Sequence, residues 1–288
     1  MNVLSIYKLF ACPDEGTALT VDGQNLRCPA CQRGFPVYDD KLVELLPSAP
    51  SSIEADREYL QGYQKEFGRE FRRNPAALAW GAPESCQPEW VRRRTRQVDF
   101  VGGLLKPTKN AVLCDVSAGA GYYTRAYAAQ FDTVLHCDLS VDNLSYNLER
   151  LEKNKQDNII FVRADYFRLP LRRSVDRVLC FDTLIQGPQH ETALLASIAG
   201  ALRPGGFALV DFHNWYHNPL RRIGLLPENF TPGSYGRREA ANLIAKAGAG
   251  RPAYFPFRQE FDPESVAGRL LRPLIPPTRH IFRVSACV

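Results

Sequence analysis

Apolar positions change their spacing along the chain, and the change comes near residue 110. Beyond it, short runs rich in Val, Ile, Leu and Phe alternate with stretches whose apolar residues follow a helical period. Short apolar runs bounded by turns predict buried strands, and the 3.6-residue period predicts amphipathic helices. The predicted strands are 111–116, 133–137, 159–162, 177–181, 207–212, 253–257 and 281–286.

The stretches between these strands carry the helical pattern. The predicted helices are 122–129, 141–151, 191–202 and 237–247. Strands that alternate with helices in this way favour an α/β fold in which a mostly parallel sheet has helices on both faces. The sequence therefore predicts a Rossmann-like, doubly wound sheet of seven strands.

The residues before this domain form two further units. Turn signals and short β-type stretches fill residues 1–48, and the Pro- and Ser-rich segment 47–52 closes this small β module. Helical periodicity then returns near residues 53–67 and 88–105. The predicted division is a β module at 1–48, a helical linker or cap at 49–105, and the α/β domain at 106–288.

Composition is that of a soluble globular protein. Of 288 residues, 45% are hydrophobic and 23% are charged, and no apolar run approaches the roughly 20 residues that span a bilayer. The first residues lack the pattern of a signal peptide, so we expect a cytoplasmic protein without a membrane partner. The net charge of +5 comes from dispersed arginine clusters, which indicates solvated surface, while RNA stays a weaker alternative partner.

Chemistry-bearing residues follow three successive predicted strands. The first strand leads into a turn of small residues that ends in Gly119-Ala120-Gly121, where backbone can approach a ligand closely. Asp138 follows the second strand, at a distance from the turn that suits a carboxylate binding ribose hydroxyls. Asp165 follows the third strand, beside aromatic residues that suit an adenine. Because ligands bind at the carboxyl ends of such strands, the three are expected to form one site.

Residues 110–212 resemble class I S-adenosylmethionine (SAM)-dependent methyltransferases of the type 11-like group. The first motif of that family matches 112–121, its ribose-binding acid falls on Asp138, its adenine-binding acid on Asp165, and its turn before the fifth strand on 202–206. The resemblance implies a Rossmann-like fold, SAM as cofactor, and a transferase. The expected SAM contacts are Asp115, Ser117, Ala118, Gly119, Gly121, Asp138, Leu139, Asp165, Tyr166 and Phe181.

The glycine turn departs from two patterns. Ser117 stands where the methyltransferase family usually has its first glycine, so either a side chain is strained there or its hydroxyl contacts the methionine part of SAM. A nicotinamide dehydrogenase would need a third glycine at the position of Tyr122, which makes that alternative much weaker.

Three residues are candidates for catalysis. His190 lies in the loop after the fourth strand, where many family members place a substrate-facing histidine, and the alternative is that it only caps the next helix. His213 ends the fifth strand, where it either lines a substrate pocket or belongs to a structural loop. Tyr123 opens the helix after the glycine turn and is expected beside the sulfonium.

Three N-terminal cysteines have the spacing of a degenerate zinc site. Cys28 and Cys31 form a Cys-Pro-x-Cys knuckle, and Cys12-Pro13 begins another in which Glu15 replaces the second cysteine. With the strand-like segment 35–38, this module resembles the zinc ribbon that precedes some methyltransferase domains. Either Cys12, Cys28 and Cys31 bind zinc, with Glu15 as the candidate fourth ligand, or the module has kept its fold without the metal.

The leading functional hypothesis is methyl transfer to an oxygen or nitrogen of a small molecule. The zinc-ribbon-like module also resembles that of rRNA guanine-N1 methyltransferases, which makes RNA the second hypothesis. A third is non-methyl SAM chemistry, either aminocarboxypropyl transfer or cyclisation of SAM, which releases methylthioadenosine. A non-enzymatic partner subunit is the fourth, and the intact set of SAM-binding residues argues against it.

Overall fold

The fold is known from a computed structural model, which describes residues 1–49, 88–154, 156–184, 191–214, 217, 223, 225, 234–250, 252–258 and 276–286. The helix predicted near 53–67 and the candidate His190 lie outside these residues. Among the described helices, none has both the length and the apolar character needed to cross a bilayer.

The described residues form two sheets. Their strands are β1 (Thr20–Asp22), β2 (Asn25–Arg27), β3 (Gly34–Phe35), β4 (Val37–Tyr38), β5 (Leu42–Leu45), β6 (Val112–Val116), β7 (Thr133–Asp138), β8 (Ile159–Ala164), β9 (Val175–Cys180), β10 (Leu202–His213), β11 (Ala253–Phe257) and β12 (Arg279–Ser285). A nine-stranded mixed sheet forms the centre of the molecule, in the order β11-β12-β10-β9-β6-β7-β8-β5-β4. A separate three-stranded sheet, β1-β2-β3, lies within the N-terminal module.

The predicted α/β architecture is confirmed. Strands β6 to β10 are parallel to one another, whereas β12 runs antiparallel to β10 and β11 antiparallel to β12. Every residue of β7 is buried, as expected for a strand that is covered on both faces. All seven predicted strands are present, with ends that differ by a few residues.

The prediction of seven strands was too low, because two strands of the N-terminal module join the same sheet. Strand β5 pairs in parallel with β8, and β4 pairs with β5. In β5 the apolar Val43 and Leu45 are fully buried while Glu44 is half-buried and pairs with Arg163. Strand β8 would otherwise be an unpaired sheet edge, which proteins commonly cover. The sequence pattern marked these short stretches as strands but not which sheet they would join.

Helices cover both faces of the sheet. They are α1 (Pro88–Leu105), α2 (Tyr122–Tyr127), α3 (Val141–Asn154), α4 (Glu191–Ala201) and α5 (Arg237–Lys246). Apolar residues of α1, α2 and α3 pack into one core cluster, and those of α4, α5 and the N-terminal module pack into another. Adjacent residues of β6 divide between them, since Leu113 belongs to the first cluster and Cys114 to the second, as the alternation of a strand requires.

The strand order reverses beside β6, and this reversal locates the binding crevice. The chain passes from β6 to β7 and β8 on one side, then crosses back to β9 and β10 on the other. In open α/β sheets, ligands bind at the carboxyl ends of the strands next to such a switch point. The loops after β6 and β9 therefore border the crevice.

Candidate active site

The loop between β6 and α2 makes a tight turn that only small residues allow. Ser117, Gly119 and Gly121 have positive φ angles of 54°, 53° and 70°. A Cβ atom on Gly121 would lie 2.5 Å from Oδ1 of Asn147, so a side chain is excluded there. The backbone N–H of Gly121 donates to the carbonyl of Ala118 at 2.9 Å and closes the turn.

Ser117 is the non-glycine residue of this turn. A left-handed conformation costs about 1–2 kcal/mol when a Cβ is present. Its hydroxyl oxygen is buried and has no hydrogen-bond partner among the described residues. Strain and an unpaired buried hydroxyl at one position are typical of a site that serves a ligand.

Polar side chains of α2 and α3 hold the glycine turn in place. The Asn147 amide donates to the carbonyl of Gly119 at 2.7 Å. The guanidinium of Arg125 donates to the carbonyl of Ala120 and, at 3.0 Å, to the Asn147 side chain. Two carbonyl groups of the turn are therefore fixed by side chains of α2 and α3.

A buried hydrogen-bond chain supports the same turn and includes Asp115. Oδ2 of Asp115 accepts from the backbone N–H of Thr124 at 2.9 Å and from its hydroxyl at 2.6 Å. Because that hydroxyl donates to Asp115, it can accept from Nδ1 of His136, which lies 2.9 Å away. Burial raises the pKa of Asp115 to about 7, whereas burial and the charge of Arg125 lower the pKa of His136 to about 3. Asp115, an expected SAM contact, is thus bonded to the start of the helix that follows the turn.

Asp138, at the end of β7, is tied to the turn directly. Its Oδ2 accepts from the backbone N–H of Gly119 at 2.8 Å. Its Oδ1 accepts from the backbone N–H of Ser140 at 2.9 Å and from the amide of Asn143 at 3.1 Å. Burial raises the pKa of Asp138 above its ordinary value despite these bonds. The next residue, Leu139, is also buried.

Asp165 follows β8 and is fully buried. Its Oδ1 accepts from the backbone N–H of Phe167 at 2.8 Å and caps the short 3-10 turn Tyr166–Arg168. The ring of Tyr166 is buried, and its centroid lies 4.6 Å from that of Phe167. The third acid of the sequence motif is therefore also placed at a strand end, with aromatic side chains beside it.

The rings of Tyr123 and Phe181 meet between the ends of β6 and β9, with their centroids 4.9 Å apart. Both residues are buried. The Tyr123 hydroxyl has no hydrogen-bond partner of good geometry among the described residues. Burial raises the pKa of this hydroxyl well above its ordinary value. Tyr123 thus lies next to the switch point, where the sequence motif placed it.

A charged cluster that the sequence patterns did not predict adjoins Tyr123. Asp182, just after β9, lies with its Oδ1 2.5 Å from Nη1 of Arg279 and 2.9 Å from Nε2 of His213. Its Oδ2 is bonded to Arg94 of α1, and its backbone N–H donates to Asp211 at 2.8 Å. We call Asp182, Arg279, His213, Arg94 and Asp211 the charged cluster.

The charged cluster contains two arginines and two aspartates, so its positive and negative groups are equal in number. Each charged group is stabilised by a neighbour of opposite sign. Burial by itself would raise the pKa of Asp182, but Arg279 and Arg94 hold it well below its usual range. Burial would lower the pKa of Arg94, but the charge of Asp182 raises it above its ordinary value. Arg94, Arg279 and Asp182 therefore remain charged at neutral pH.

Asp182, Asp211 and His213 could be mistaken for a metal site, since their ligand atoms lie within 4.8 Å of one another. The guanidinium of Arg279 lies among them, bonded to both carboxylates and 2.8 Å from Nε2 of His213. This guanidinium supplies the cation that the three groups would otherwise share.

His213 is held inside this cluster. Its Nε2 lies between Asp182 and the Arg279 guanidinium, and burial together with Arg279 lowers the pKa of the imidazole. The structure therefore brings His213 and Tyr123 to the same end of the sheet. The remaining catalytic candidate, His190, cannot be placed because it is outside the described residues.

Part of this charged cluster could have been predicted from the sequence. Arg94 belongs to an arginine-rich stretch whose composition predicted solvated surface, and Arg279 begins an apolar strand. A charged residue at the end of a buried strand needs a partner of opposite charge. That requirement could have connected Arg279 with Asp211 of the predicted fifth strand, but which residues pair depends on the strand order.

The three N-terminal cysteines lie together. Their Sγ atoms are all within 4.8 Å of one another, and those of Cys12 and Cys31 are 3.8 Å apart. The backbone N–H of Cys31 points to the sulfur of Cys28 at 3.5 Å, and the Thr17 hydroxyl lies 3.1 Å from the same sulfur. Glu15 is exposed and is not part of this group.

Residues 113–206 match the family of methyltransferase domains. The matched segment runs from β6 into β10 and contains the glycine turn, Asp138 and Asp165. A search of curated proteins finds no match.

Solved structures with the same fold include several enzymes. The magnesium protoporphyrin IX methyltransferase of Synechocystis PCC 6803, with bound S-adenosylhomocysteine, is 16% identical, with a TM-score of 0.53 over 83% of this chain and 100% of that one. The 1,6-didemethyltoxoflavin-N1-methyltransferase of Burkholderia thailandensis, with its substrate and S-adenosylhomocysteine, is 15% identical, with a TM-score of 0.51 over 93% and 98%.

A phosphoethanolamine N-methyltransferase 2 of Haemonchus contortus is 16% identical, with a TM-score of 0.51 over 67% of this chain. The chain spans about half of that enzyme, 53% of its length. These likenesses establish the fold, and the family match establishes the kind of domain. Residues 113–206, which run from β6 into β10, therefore belong to a methyltransferase domain with a Rossmann-like α/β fold.

Proposed function

We propose that the protein transfers the methyl group of SAM to an oxygen or nitrogen of a small molecule. The observation that carries this proposal is the contact between Arg94 of α1 and Asp182 after β9. The contact holds α1 against the loop after β9, beside the switch point, and a crevice bordered by a helix on this side would suit a small acceptor. The similar structures from Synechocystis, Burkholderia and Haemonchus are enzymes whose names specify small-molecule acceptors.

SAM would extend along the carboxyl edge of the sheet. Its adenine would lie by Asp165, its ribose by Asp138, and its methionine part over the glycine turn near Ser117. Each carboxylate oxygen has two lone pairs; Oδ1 of Asp138 already accepts two bonds and Oδ2 one, so Oδ2 can accept one ribose hydroxyl in addition. The acceptor would then approach the sulfonium from the side of β9 and β10.

Methyl transfer requires mainly that the enzyme align the methyl donor and the acceptor. Methyl transfer is an in-line displacement, which is accelerated by holding donor and acceptor in line and excluding water. The buried rings of Tyr123 and Phe181 would form an apolar wall at this point. A general base adds about 10²–10⁴-fold where the nucleophile arrives protonated.

Of the candidates for that base, we assign His213 a positioning role. Its Nε2 is directed at Asp182 and Arg279, and its imidazole is buried. It therefore orients Asp182 instead of facing an acceptor. Tyr123, whose buried hydroxyl lies beside Arg94, contacts the sulfonium or the acceptor in this proposal, and His190 remains a candidate base.

The experiment uses SAM labelled in its methyl group. The protein is incubated with it and either an ultrafiltered small-molecule extract or total RNA, and the label and the nucleoside product are followed. Label in the small-molecule fraction with S-adenosylhomocysteine as product supports the proposal. Label in RNA overturns it in favour of an RNA methyltransferase, and methylthioadenosine as product overturns it in favour of aminocarboxypropyl transfer or cyclisation.

We also propose that Cys12, Cys28 and Cys31 hold one zinc ion that stabilises the N-terminal module. With Zn–S bonds of about 2.3 Å and tetrahedral angles, sulfurs lie about 3.8 Å apart, which is the separation of Cys12 and Cys31. Because Glu15 is exposed, the fourth ligand in this proposal comes from solvent.

A further inference from the structure

Three charged residues lie in one row across neighbouring strands, near the carboxyl ends of those strands. Glu44 of β5 is paired in register with Arg163 of β8, and Arg163 is paired in register with Asp138 of β7. Residues in register on adjacent strands project their side chains from the same face of the sheet. Arg163 therefore lies between a carboxylate of the N-terminal module and the carboxylate that is proposed to bind the ribose of SAM.

Arg163 is bonded toward both sides of this row. Its Nη1 donates to Oε1 of Glu44 at 2.9 Å, and its Nε donates to the carbonyl of Leu139 at 3.3 Å. The side chains of Arg163 and Glu44 are 26% and 30% exposed, so solvent screens this pair less than it screens a fully exposed one. Because the guanidinium is planar and rigid, the bond to Glu44 also fixes the direction in which Nε points.

The peptide group that accepts this bond also holds Asp138. The carbonyl of Leu139 and the N–H of Ser140 belong to one planar peptide group. That N–H donates to Oδ1 of Asp138 at 2.9 Å. Arg163 thus restrains the peptide group that orients the Asp138 carboxylate, and Oδ2 of this carboxylate keeps one lone pair for a ribose hydroxyl.

The N-terminal module is also bonded to the chain segment that follows β8. The backbone N–H of Ala11 donates to the carbonyl of Pro170 at 2.9 Å, and the N–H of Arg172 donates to the carbonyl of Leu9 at 3.0 Å. These bonds fix the segment a few residues beyond Asp165, the acid expected to bind adenine. The module is therefore linked to the segments that carry both acids of the nucleoside site.

We propose that Arg163 is a positioning residue of the SAM site, and that Glu44 of the N-terminal module holds it in this role. The proposal rests on the SAM site proposed above. Arg163 acts on the nucleoside end of SAM through the peptide group and Asp138, and not by contact with the ligand. The N-terminal module then contributes to cofactor binding in addition to covering the sheet edge at β8.

Calorimetric titration of S-adenosylhomocysteine tests this assignment in four proteins, which are wild type, Arg163→Met, Asp138→Ala and the double variant. Arg163→Met is expected to bind about 3- to 10-fold more weakly than wild type, the value of one hydrogen bond. Because Arg163 acts through Asp138, the same substitution should change the affinity of Asp138→Ala by less than about twofold. Arg27→Met removes an exposed ion pair elsewhere in the module and should bind as wild type does.

Glu44→Ala tests the contribution of the module while Arg163 is kept. Its affinity for S-adenosylhomocysteine should fall about two- to threefold, because the guanidinium keeps its bond to Leu139 but loses the partner that fixes it. Wild-type affinity in this variant would overturn the role of the module.

Two results would overturn the role of Arg163. Wild-type affinity in Arg163→Met would show that the bond to Leu139 does not position the site. An equal loss in the wild-type and Asp138→Ala backgrounds would show that Arg163 acts on folding or on another part of the ligand. Failure of the proposed SAM site is distinct from both, because wild type would then not bind S-adenosylhomocysteine at all.

Discussion

The backbone N–H of Gly119 lies 2.8 Å from Oδ2 of Asp138, so the glycine turn and the acid after β7 are joined before any ligand is present. Asn147 fixes the carbonyl of the same glycine from α3. Both peptide groups of Gly119 are thus held, and the turn keeps the shape in which its backbone can approach SAM. A site held in this way binds its ligand at a lower cost in conformational entropy.

Ser117→Ala should separate stability from ligand binding. The hydroxyl has no partner among the described residues, so its removal should leave the free energy of unfolding within about 0.5 kcal/mol of wild type or raise it. SAM affinity should fall by about 0.5–1.5 kcal/mol if the hydroxyl bonds the methionine part. Urea unfolding and calorimetry measure the two quantities, with the exposed Ser145→Ala as control. A lower stability with unchanged SAM affinity would assign the hydroxyl a structural role.

Arg279→Met should destabilise the fold strongly. The guanidinium is bonded to Asp182 and Asp211, and removing one member of a buried ion pair costs about 3–5 kcal/mol. The exposed pair of Arg27 with Asp22 gives the control, because Arg27→Ala should cost at most about 1 kcal/mol. Urea unfolding of both variants makes the comparison, and equal small losses would contradict the account of the charged cluster.

His136 should make the protein less stable in acid. Its pKa is about 3 in the folded protein and 6.5 ordinarily, so the unfolded chain takes up the proton first. The stability that neutral His136 contributes is complete above pH 6.5 and is lost as the pH falls toward 3. Urea unfolding at a series of pH values should therefore show a steeper loss for wild type than for His136→Asn.

Asp115 acts in the opposite direction in part of this range. Burial raises its folded pKa to about 7, so its ionisation lowers stability as the pH rises from about 3.8. Both proteins keep Asp115 and its bonds to Thr124, so the difference between their profiles reports His136 and its contact with Thr124. Parallel pH profiles for wild type and His136→Asn would show that the imidazole does not control the slope.

Zinc binding by the N-terminal module is tested by metal content and melting temperature. The purified protein is expected to hold one zinc ion and to melt at a lower temperature after chelation. Cys12→Ser should lose the metal, whereas Glu15→Gln should keep it because Glu15 is exposed and outside the sulfur group. A metal-free wild type whose melting temperature does not respond to added zinc would show that only the fold of the module remains.

The sequence predicted the parts of the fold that local patterns determine. The apolar run 133–137 predicted a buried strand, which the structure has at Thr133–Asp138, and Gly121 is required by the space beside Asn147. Local patterns could not predict that β4 and β5 join the sheet, because this depends on which edge of the folded sheet is exposed.

The same distinction holds for the site. Asp138 and Asp165 follow their strands immediately, so sequence spacing places both of them. The charged cluster joins Arg94, Asp182 and Arg279, which are far apart in the chain and meet only through helix packing and the antiparallel pairing of β12 with β10. Its members were therefore missed, apart from His213, which was selected for its position at a strand end.

The most direct test is a calorimetric titration of SAM into wild type and Asp138→Ala. Wild type is expected to bind, and the variant to lose about 1–3 kcal/mol of binding free energy, because a ribose hydroxyl loses its buried partner. Asp142→Ala, at an exposed position of α3, should bind as wild type does. A wild-type protein that binds neither SAM nor S-adenosylhomocysteine would contradict the account at its centre.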